Sequence, residues 1–276
     1  MEERKWEDLE FYCLVNVLGR VGMESLLLDV PFVCKSWYKA SLDPSCWKHL
    51  VFPKDLDLEW DSTLLDRFKD KYKIENCSVD AFTKFVVGRS HGKCTGLFLP
   101  NGCTEEVAKY VADECPALIT LSLPYDIIRS ESSIVPSLIG KCEHLENLWL
   151  GSSINLENII TQISLACNKF SGLSISSATI QEEEASAIVN LPNIKCLILR
   201  RARIDFGNLV IILQGCKNLV HLDARDCIGF DSDDEEVLEL ASHIKTFKCD
   251  GSMLYDYEDD CAIDPDDLLY DGYISY

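Results

Sequence analysis

The side chains that could act as a nucleophile, a general base or a metal ligand are scattered along this sequence. Its five histidines, at positions 49, 91, 144, 221 and 243, share no spacing typical of a metalloprotease, and no Gly-x-Ser-x-Gly motif or glycine-rich phosphate loop occurs. The acidic runs Glu182–Glu184 and Asp233–Glu236 are contiguous, which is typical of solvated helix starts and not of paired catalytic acids. We therefore predict no catalytic residues and no enzymatic activity.

The cysteines are numerous enough to suggest a disulfide framework or a zinc site, since the chain contains 14 of them. Zinc sites usually contain close cysteine or histidine pairs, and no two cysteines here are separated by two residues. The first residues contain no apolar stretch behind a basic end, so we expect no secretion signal and reduced thiols. We predict buried, apolar cysteines, with no metal and no cofactor.

The net charge of −20 is concentrated toward the C-terminus, where residues 231–276 contain two lysines and 15 acidic residues. Such a charge repels phosphate backbones, so nonspecific nucleic-acid binding is disfavoured. No apolar run approaches the ~18 residues that a membrane-spanning helix needs. We expect no nucleic-acid partner, no membrane association, and a location in the cytoplasm and/or nucleus.

A leucine-containing pattern recurs through most of the chain at intervals of about 25 residues. Five segments read C/L-x-x-φ-x-x-L-x-φ, where φ is apolar; they begin at Cys115, Cys142, Cys167, Leu191 and Cys216. Two weaker copies flank them, and the central apolar residue falls at positions 97, 121, 148, 173, 197, 222 and 247. This period and this core pattern are those of leucine-rich repeats.

Each copy of the pattern predicts a short strand followed by a helical return. The leucines of an L-x-L segment face one side of the strand, and a small residue follows at the turn. Stacked copies bury a continuous core, which a single copy cannot do. We predict an α/β repeat fold with a short right-handed leucine-rich-repeat solenoid of about seven units. A doubly wound α/β domain is the alternative, although it usually has a glycine-rich turn that is missing here.

The residues between the leucines are predicted to line the concave face, a frequent binding surface of repeat proteins. The candidate target-binding residues are Phe98, Trp149, Ile198, Arg200, Asp223 and Arg225. Packing between strands is the alternative role for Trp149. The arginines at positions 200, 201, 203 and 225 either form an ordinary solvated face or bind an acidic or phosphorylated segment, which guanidinium groups suit.

Residues 6–52 do not follow the repeat, and their apolar spacing predicts three short helices. The block Val33-Cys34-Lys35-Ser36-Trp37-Tyr38, followed by Asp43-Pro44 and Trp47, resembles the F-box of plant F-box/leucine-rich-repeat proteins. Together with the repeats, this resemblance covers the chain up to about residue 250. Many F-boxes have Leu-Pro at the start of the first helix, whereas Leu9 is followed by Glu10 here.

The resemblance implies a non-catalytic substrate-recognition subunit of an SCF-type ubiquitin ligase. Its F-box would dock on a Skp-type adaptor, and through it on a cullin, while the repeats would bind a protein target. By matched positions, the adaptor-binding residues would be Leu9, Leu14, Leu18, Val33 and Trp37. The alternative for these residues is that they form only the core of the three helices. The alternative function is a leucine-rich-repeat scaffold or decoy that is not assembled into a ligase.

These patterns divide the chain into four segments. We predict an F-box at 6–52, a helical connector and N-terminal cap at 53–90, leucine-rich repeats at 91–250, and an acidic, tyrosine-rich tail at 251–276. The tail is predicted to cap the last repeat or to fray from it. A sharper hypothesis is that the tail folds back on the arginine cluster.

Overall fold

A computed structural model describes residues 9–53, 63–128, 134–151, 154 and 156–255 of the chain. They form helices and short parallel strands, a mixed α/β fold. The first compact unit is Met1–Leu145 with Ala166–Asn168, and the second is Glu146–Leu165 with Lys169–Tyr276. Most of the predicted tail, from residue 256, lies outside the described residues, as does Ser153, one of the predicted turn positions.

The first unit begins with three short α-helices: α1 (Phe11–Leu18), α2 (Met23–Leu28) and α3 (Lys35–Ser41). Two 3₁₀ turns, Val30–Phe32 and Pro44–Trp47, follow α2 and α3. Leu14, Leu18 and Trp47 are buried among them, and the Trp47 indole N–H donates a 2.7 Å hydrogen bond to the Ser41 carbonyl. Burying these large apolar side chains stabilises a segment that is too short to fold by helix propensity alone.

The rest of the first unit alternates helices and parallel strands. Its elements are β1 (His49–Val51), α4 (Leu64–Tyr72), α5 (Val79–Gly88), β2 (Gly96–Phe98), α6 (Glu105–Glu114), β3 (Thr120–Leu123), α7 (Tyr125–Ile128) and α8 (Ile134–Lys141). Leu50, Leu97 and Leu121 lie in register on the three strands and are fully buried. Strand β1 was not predicted, because a three-residue strand with a single inward leucine lacks the repeat pattern.

Helices α4 and α5 connect the three N-terminal helices to the first strands. The Tyr72 hydroxyl donates a 2.7 Å hydrogen bond to the Leu27 carbonyl, and Arg67 forms a salt bridge with Glu24 on α2. The Phe68 and Phe82 rings lie 4.9 Å apart and join α4 to α5. Hydrogen bonds and ring contacts therefore fix the N-terminal helices against the connector within this unit.

The second unit contains five parallel strands in one ladder: β4 (Asn147–Leu150), β5 (Gly172–Ile175), β7 (Cys196–Ile198), β9 (His221–Asp223) and β10 (Thr246–Lys248). Leu148, Leu173, Leu197 and Leu222 lie in register, and each is at most 1% exposed. Phe247 continues this column and is half-buried. Positions of the predicted repeat thus fall on neighbouring strands and point into one core.

The turns after these strands repeat as well. Ser177, Arg201, Asp226 and Gly251 have positive φ angles of 55°, 57°, 56° and 77°. The small residue predicted for the turn comes one position later and points inward: Ala178, Ala202, Cys227 and Ser252 are buried. The Ser252 hydroxyl donates a 2.7 Å hydrogen bond to the Ala224 carbonyl and accepts one of 3.0 Å from the Cys227 N–H. The short strands β6 (Thr179–Ile180) and β8 (Arg203–Ile204) then form a second parallel pair.

Helices return the chain between the strands of the second unit. They are α9 (Leu156–Ala166), α10 (Glu182–Val189), α11 (Phe206–Gly215) and α12 (Glu235–Leu240), with a 3₁₀ turn at Ala241–His243. The inward residues predicted for two of them, at positions 156, 159, 160 and 163 and at 209, 212 and 213, are all at most 2% exposed. Helix propensity and burial therefore agree in these segments.

The cysteine that ends each repeat helix is buried, as its apolar role requires. Cys115, Cys142, Cys167 and Cys216 are at most 4% exposed and carry free thiols. Burial raises the pKa of Cys142 to about 12 and that of Cys216 to about 11, so both stay protonated at neutral pH. Within the described ranges, no cluster of histidine, cysteine and acidic side chains is suited to hold a metal ion. No helix in those ranges is long and apolar enough to cross a bilayer.

Candidate functional site: an apolar helical surface and a strand face

Large apolar side chains are exposed on the three N-terminal helices. They lie on α1, on the 3₁₀ turn Val30–Phe32 and around α3, and each exposes between 36% and 71% of its surface: Phe11, Tyr12, Val17, Phe32, Val33, Tyr38 and Leu42. We call this set the N-terminal apolar surface. Exposed apolar residues in such number on so short a segment mark an interaction surface in soluble proteins.

The five predicted adaptor-binding residues differ in exposure. Val33 is 58% exposed and belongs to the N-terminal apolar surface, whereas Leu9 and Trp37 are half-buried. Leu14 and Leu18 are each 1% exposed, because α1 turns this side toward α3. Of the two roles left open for Leu14 and Leu18, burial therefore favours the core role, and a direct contact with an adaptor stays an untested prediction.

Sequence reasoning did not identify several exposed members of the N-terminal apolar surface. Phe11 and Tyr12 lie on α1 outside the buried stripe of Leu14, Val15 and Leu18. Their signal was present: aromatic residues out of phase with the inward period have no place in the core of a single short helix. An amphipathic pattern predicts the inward face well and says little about an apolar outward face.

Glu10, which replaces the proline of many F-boxes, caps the first helix. Its carboxylate accepts hydrogen bonds from the backbone N–H groups of Tyr12, at 2.9 Å, and Cys13, at 3.3 Å. The φ angle of Glu10 is −58°, within the range of about −65 ± 15° that a proline ring imposes. The backbone at this position is therefore compatible with proline, and the glutamate adds two hydrogen bonds that proline lacks.

Trp37 contains a buried polar atom without a partner. Its indole Nε1 is inaccessible to solvent and has no hydrogen-bond acceptor among the described residues. A buried donor that is left unsatisfied costs about 1–3 kcal/mol. The half-buried ring of Trp37 is thus a position at which an acceptor from a bound partner would lower the free energy.

The strand face of the second unit presents the residues between the leucines. Trp149, Ser174, Ile198, Asp223 and Lys248 occupy one row, paired in register from β4 to β10. Trp149 and Ile198 are half-buried, with the buried Ser174 between them. Phe98, the predicted residue in the first unit, is also half-buried and lies in register with Ser122. The row combines accessible apolar surface at one end with charges at the other.

A paired aspartate and arginine dominate the charged end of this row. Both Asp223 carboxylate oxygens accept hydrogen bonds from Arg225, from Nε at 2.9 Å and from Nη2 at 2.7 Å. Asp223 is only 5% exposed, and its burial opposes ionisation. The hydrogen bonds and charge of Arg225 outweigh that penalty, so the pKa of Asp223 is lowered from its ordinary value. Asp223, a predicted target contact, is therefore covered by Arg225.

The predicted cluster of four arginines is divided between different parts of the second unit. Arg225 is paired with Asp223, and an Arg200 Nη2 atom lies 4.0 Å from a carboxylate oxygen of Asp226. Arg201 occupies a left-handed turn, and Arg203 belongs to the second strand pair in β8. Two of the four cations thus have an aspartate beside them, which weakens the case for a dedicated phosphate-binding patch.

The fold defined by these features is a mixed α/β fold with parallel strands in a leucine repeat, preceded by a helical segment with an apolar surface. No protein-family model matches the chain. It is similar to three proteins of Arabidopsis thaliana: putative F-box/LRR-repeat protein 23, at 24% identity over 89% of this chain and 53% of that protein; F-box protein FBW2, at 24% over 98% and 83%; and F-box protein SKIP1, at 25% over 88% and 85%.

These matches span most of the chain and confirm the resemblance that its motifs suggested. The chain is a relative of the plant F-box/leucine-rich-repeat proteins. It spans about half the length of the first of the three relatives.

Proposed function

We propose that this chain is a non-catalytic substrate-recognition subunit of an SCF-type ubiquitin ligase. In this proposal α1–α3 form a three-helix F-box that docks on a Skp-type adaptor and, through it, on a cullin. About seven leucine-rich-repeat units form a right-handed solenoid that binds a protein target. The complex works in the cytoplasm and/or nucleus, and another subunit supplies the chemistry.

The N-terminal apolar surface is the observation that supports adaptor docking most directly. Leu14 and Leu18 fill the interior of the three helices, while Tyr12 and Val33 expose 71% and 58% of their surface. A protein partner that covers these side chains gains about 25 cal/mol per Å² of apolar area removed from water. The hydrogen-bonded connector to α2 then transmits the position of the docked helices to the first strands.

Two further features fit an adaptor-bound state. Glu10 holds the start of α1 in a proline-compatible backbone conformation, so the departure from Leu-Pro leaves the helix start intact. Trp37 contributes an indole N–H that lacks an acceptor in the free chain. In the proposed complex, an adaptor carbonyl or carboxylate accepts this hydrogen bond.

The strand face is the proposed target surface. Trp149 and Ile198 supply apolar contact area, and Arg225, oriented by Asp223, supplies a fixed guanidinium group. Aromatic and arginine side chains in rigid surroundings are the usual anchors of protein interfaces. The proposal assigns Phe98 and Arg200 to the same role at their own strand positions.

Co-expression with a plant Skp-type adaptor tests the adaptor part of the proposal. We expect the two chains to co-elute as a stable complex and to bind a cullin together. Tyr12→Asp combined with Val33→Asp should abolish co-elution, because each change places a charge in the apolar contact. Val220→Asp, at a residue of the second unit that is 44% exposed, is the matched control and should retain the complex.

Failure to co-elute would favour the alternative function, a repeat scaffold or decoy outside any ligase. The substitution of Glu10 for proline is the sequence feature that motivates this alternative. Circular dichroism of each variant shows whether the helices have folded. A folded chain that binds no adaptor contradicts the proposal.

A further inference from the structure

A groove runs between α9 and α10 on the helical side of the second unit. One stripe of each helix lines it, drawn from residues 157–165 and 181–190, and the groove has a volume of about 870 Å³. The lining positions recur at intervals of three or four residues, which is the spacing of a single helix face. Both walls are therefore continuous helix faces that look toward each other.

The position of α10 against α11 explains why this groove is open. Gly215 on α11 has no Cβ, and a Cβ there would lie 2.4 Å from a methyl group of Val189 on α10. Asn208, in the first turn of α11, also donates a 3.2 Å hydrogen bond to the Ile180 carbonyl just before α10. Because α10 is held close to α11, the space on its other side, toward α9, stays open.

The groove has an apolar floor and an acidic rim. Ile160 and Ala187 form the floor, and Leu165 at one end exposes 73% of its surface. Glu157, Glu182 and Glu183 stand on the rim, and the lining contains no lysine or arginine. None of these three carboxylates has an ion-pair partner among the residues that the structure describes. The rim therefore presents three uncompensated negative charges around an apolar strip.

We propose that this groove binds a basic amphipathic helix of a partner protein. Apolar side chains spaced along one face of that helix cover Ile160, Ala187 and Leu165, which is the usual mode of helix-in-groove recognition. Lysine or arginine residues beside that face meet the three glutamates. The net charge of −20 attracts a basic segment at long range and disfavours an acidic one.

This surface is separate from the strand face that the proposed function assigns to a target. It uses the outward side of the helices, whereas Trp149, Ile198 and Arg225 lie on or next to the strands. The inference stands whether or not the chain joins a ligase. If it does, the groove provides a second place at which a partner is held.

Fluorescence anisotropy with a designed peptide on the full chain tests the inference. The probe is a labelled leucine/lysine peptide of about four helical turns with its leucines on one face. We expect it to bind at low salt, and Glu182→Gln with Glu183→Gln should weaken binding about tenfold, with the loss disappearing in high salt. Leu165→Ser, at an exposed site, should weaken binding about threefold at both salt concentrations.

The matched control is Glu235→Gln with Glu236→Gln, the same change in the first turn of α12. This control should alter affinity by less than about twofold. Equal weakening by both pairs would mean that the peptide senses only the overall charge, and the inference would fail. It also fails if the peptide does not bind, or if a scrambled peptide with dispersed leucines binds equally well.

Discussion

Individual side chains in this molecule are assigned by burial and by their hydrogen-bond partners. Asp223 is a charged residue on a strand face, yet it is 5% exposed and accepts two hydrogen bonds from Arg225. Glu10 lies at the chain surface but satisfies two backbone donors at the start of α1. Each of these residues positions another group, which no property of its residue type alone would reveal.

The cap formed by Glu10 leads to a prediction about stability. Glu10→Ala should lower the free energy of unfolding by about 1 kcal/mol, because an N-cap side chain that satisfies orphan N–H groups contributes that much. Urea denaturation followed by circular dichroism measures the change. Glu10→Gln, which retains an acceptor oxygen, should recover most of the loss. An unchanged midpoint for Glu10→Ala would show that the two hydrogen bonds contribute nothing net.

The Asp223–Arg225 pair leads to a pH-dependent prediction. The pKa of Asp223 is lowered in the folded chain, so its ionised form contributes stability above the ordinary aspartate pKa of about 3.9. That contribution is lost as the pH falls through the lower, folded-state pKa. Arg225→Met should therefore cost about 1–3 kcal/mol near neutral pH, since it strands a buried carboxylate.

Denaturation of wild type and Arg225→Met across pH checks this account. The difference in unfolding free energy should shrink as the pH falls below about 4. Asp223→Asn should cost less than Arg225→Met at neutral pH, because it leaves no charge buried. A difference that stays constant with pH would contradict the assignment of the pair.

At the scale of secondary structure, the inward leucine column joins separate strands into one core. Leu173 and Leu197 lie in register on β5 and β7, and both are at most 1% exposed. The turns that follow repeat a left-handed residue and then a small buried one. A strand of three or four residues is stable here only because its neighbours on both sides provide hydrogen bonds and apolar contacts.

Removing one leucine of the column should destabilise the whole second unit. Leu197→Ala is expected to cost about 2–5 kcal/mol, the range for a buried leucine that leaves a cavity. Leu238→Ala, at a residue of α12 that is 46% exposed, is the control and should change stability by less than about 0.5 kcal/mol. Equal effects of the two substitutions in thermal or urea unfolding would contradict the repeat architecture.

The predictability of these elements follows from what a local pattern contains. The L-x-L segments and the inward positions of α9 and α11 are visible in the sequence, because periodic burial leaves a periodic signal. Strand β1 and the outward residues Phe11 and Tyr12 carry no such signal. The pairing of Asp223 with Arg225 was missed for a related reason: a spacing of two residues does not specify that one side chain covers the other. The groove beside α10 depends on Gly215 and Val189, which are 26 positions apart in sequence.

At the scale of the whole molecule, the account assigns different surfaces to different partners. The first unit exposes apolar side chains on α1–α3, and the second unit offers a strand face and an acidic helical groove. The relatives of this chain in Arabidopsis thaliana are named F-box and F-box/LRR-repeat proteins. Docking of an adaptor through the N-terminal helices is the claim on which the proposed function depends.

Hydrogen–deuterium exchange of the full chain, with and without a purified Skp-type adaptor, tests that claim most directly. A short helical segment opens locally, and a partner that binds only its folded form slows the exchange of its amides. The account predicts increased protection in residues 9–42 and unchanged exchange in residues 146–151 and 156–255. Protection confined to the strands of the second unit, or no protection anywhere at saturating adaptor, would contradict it.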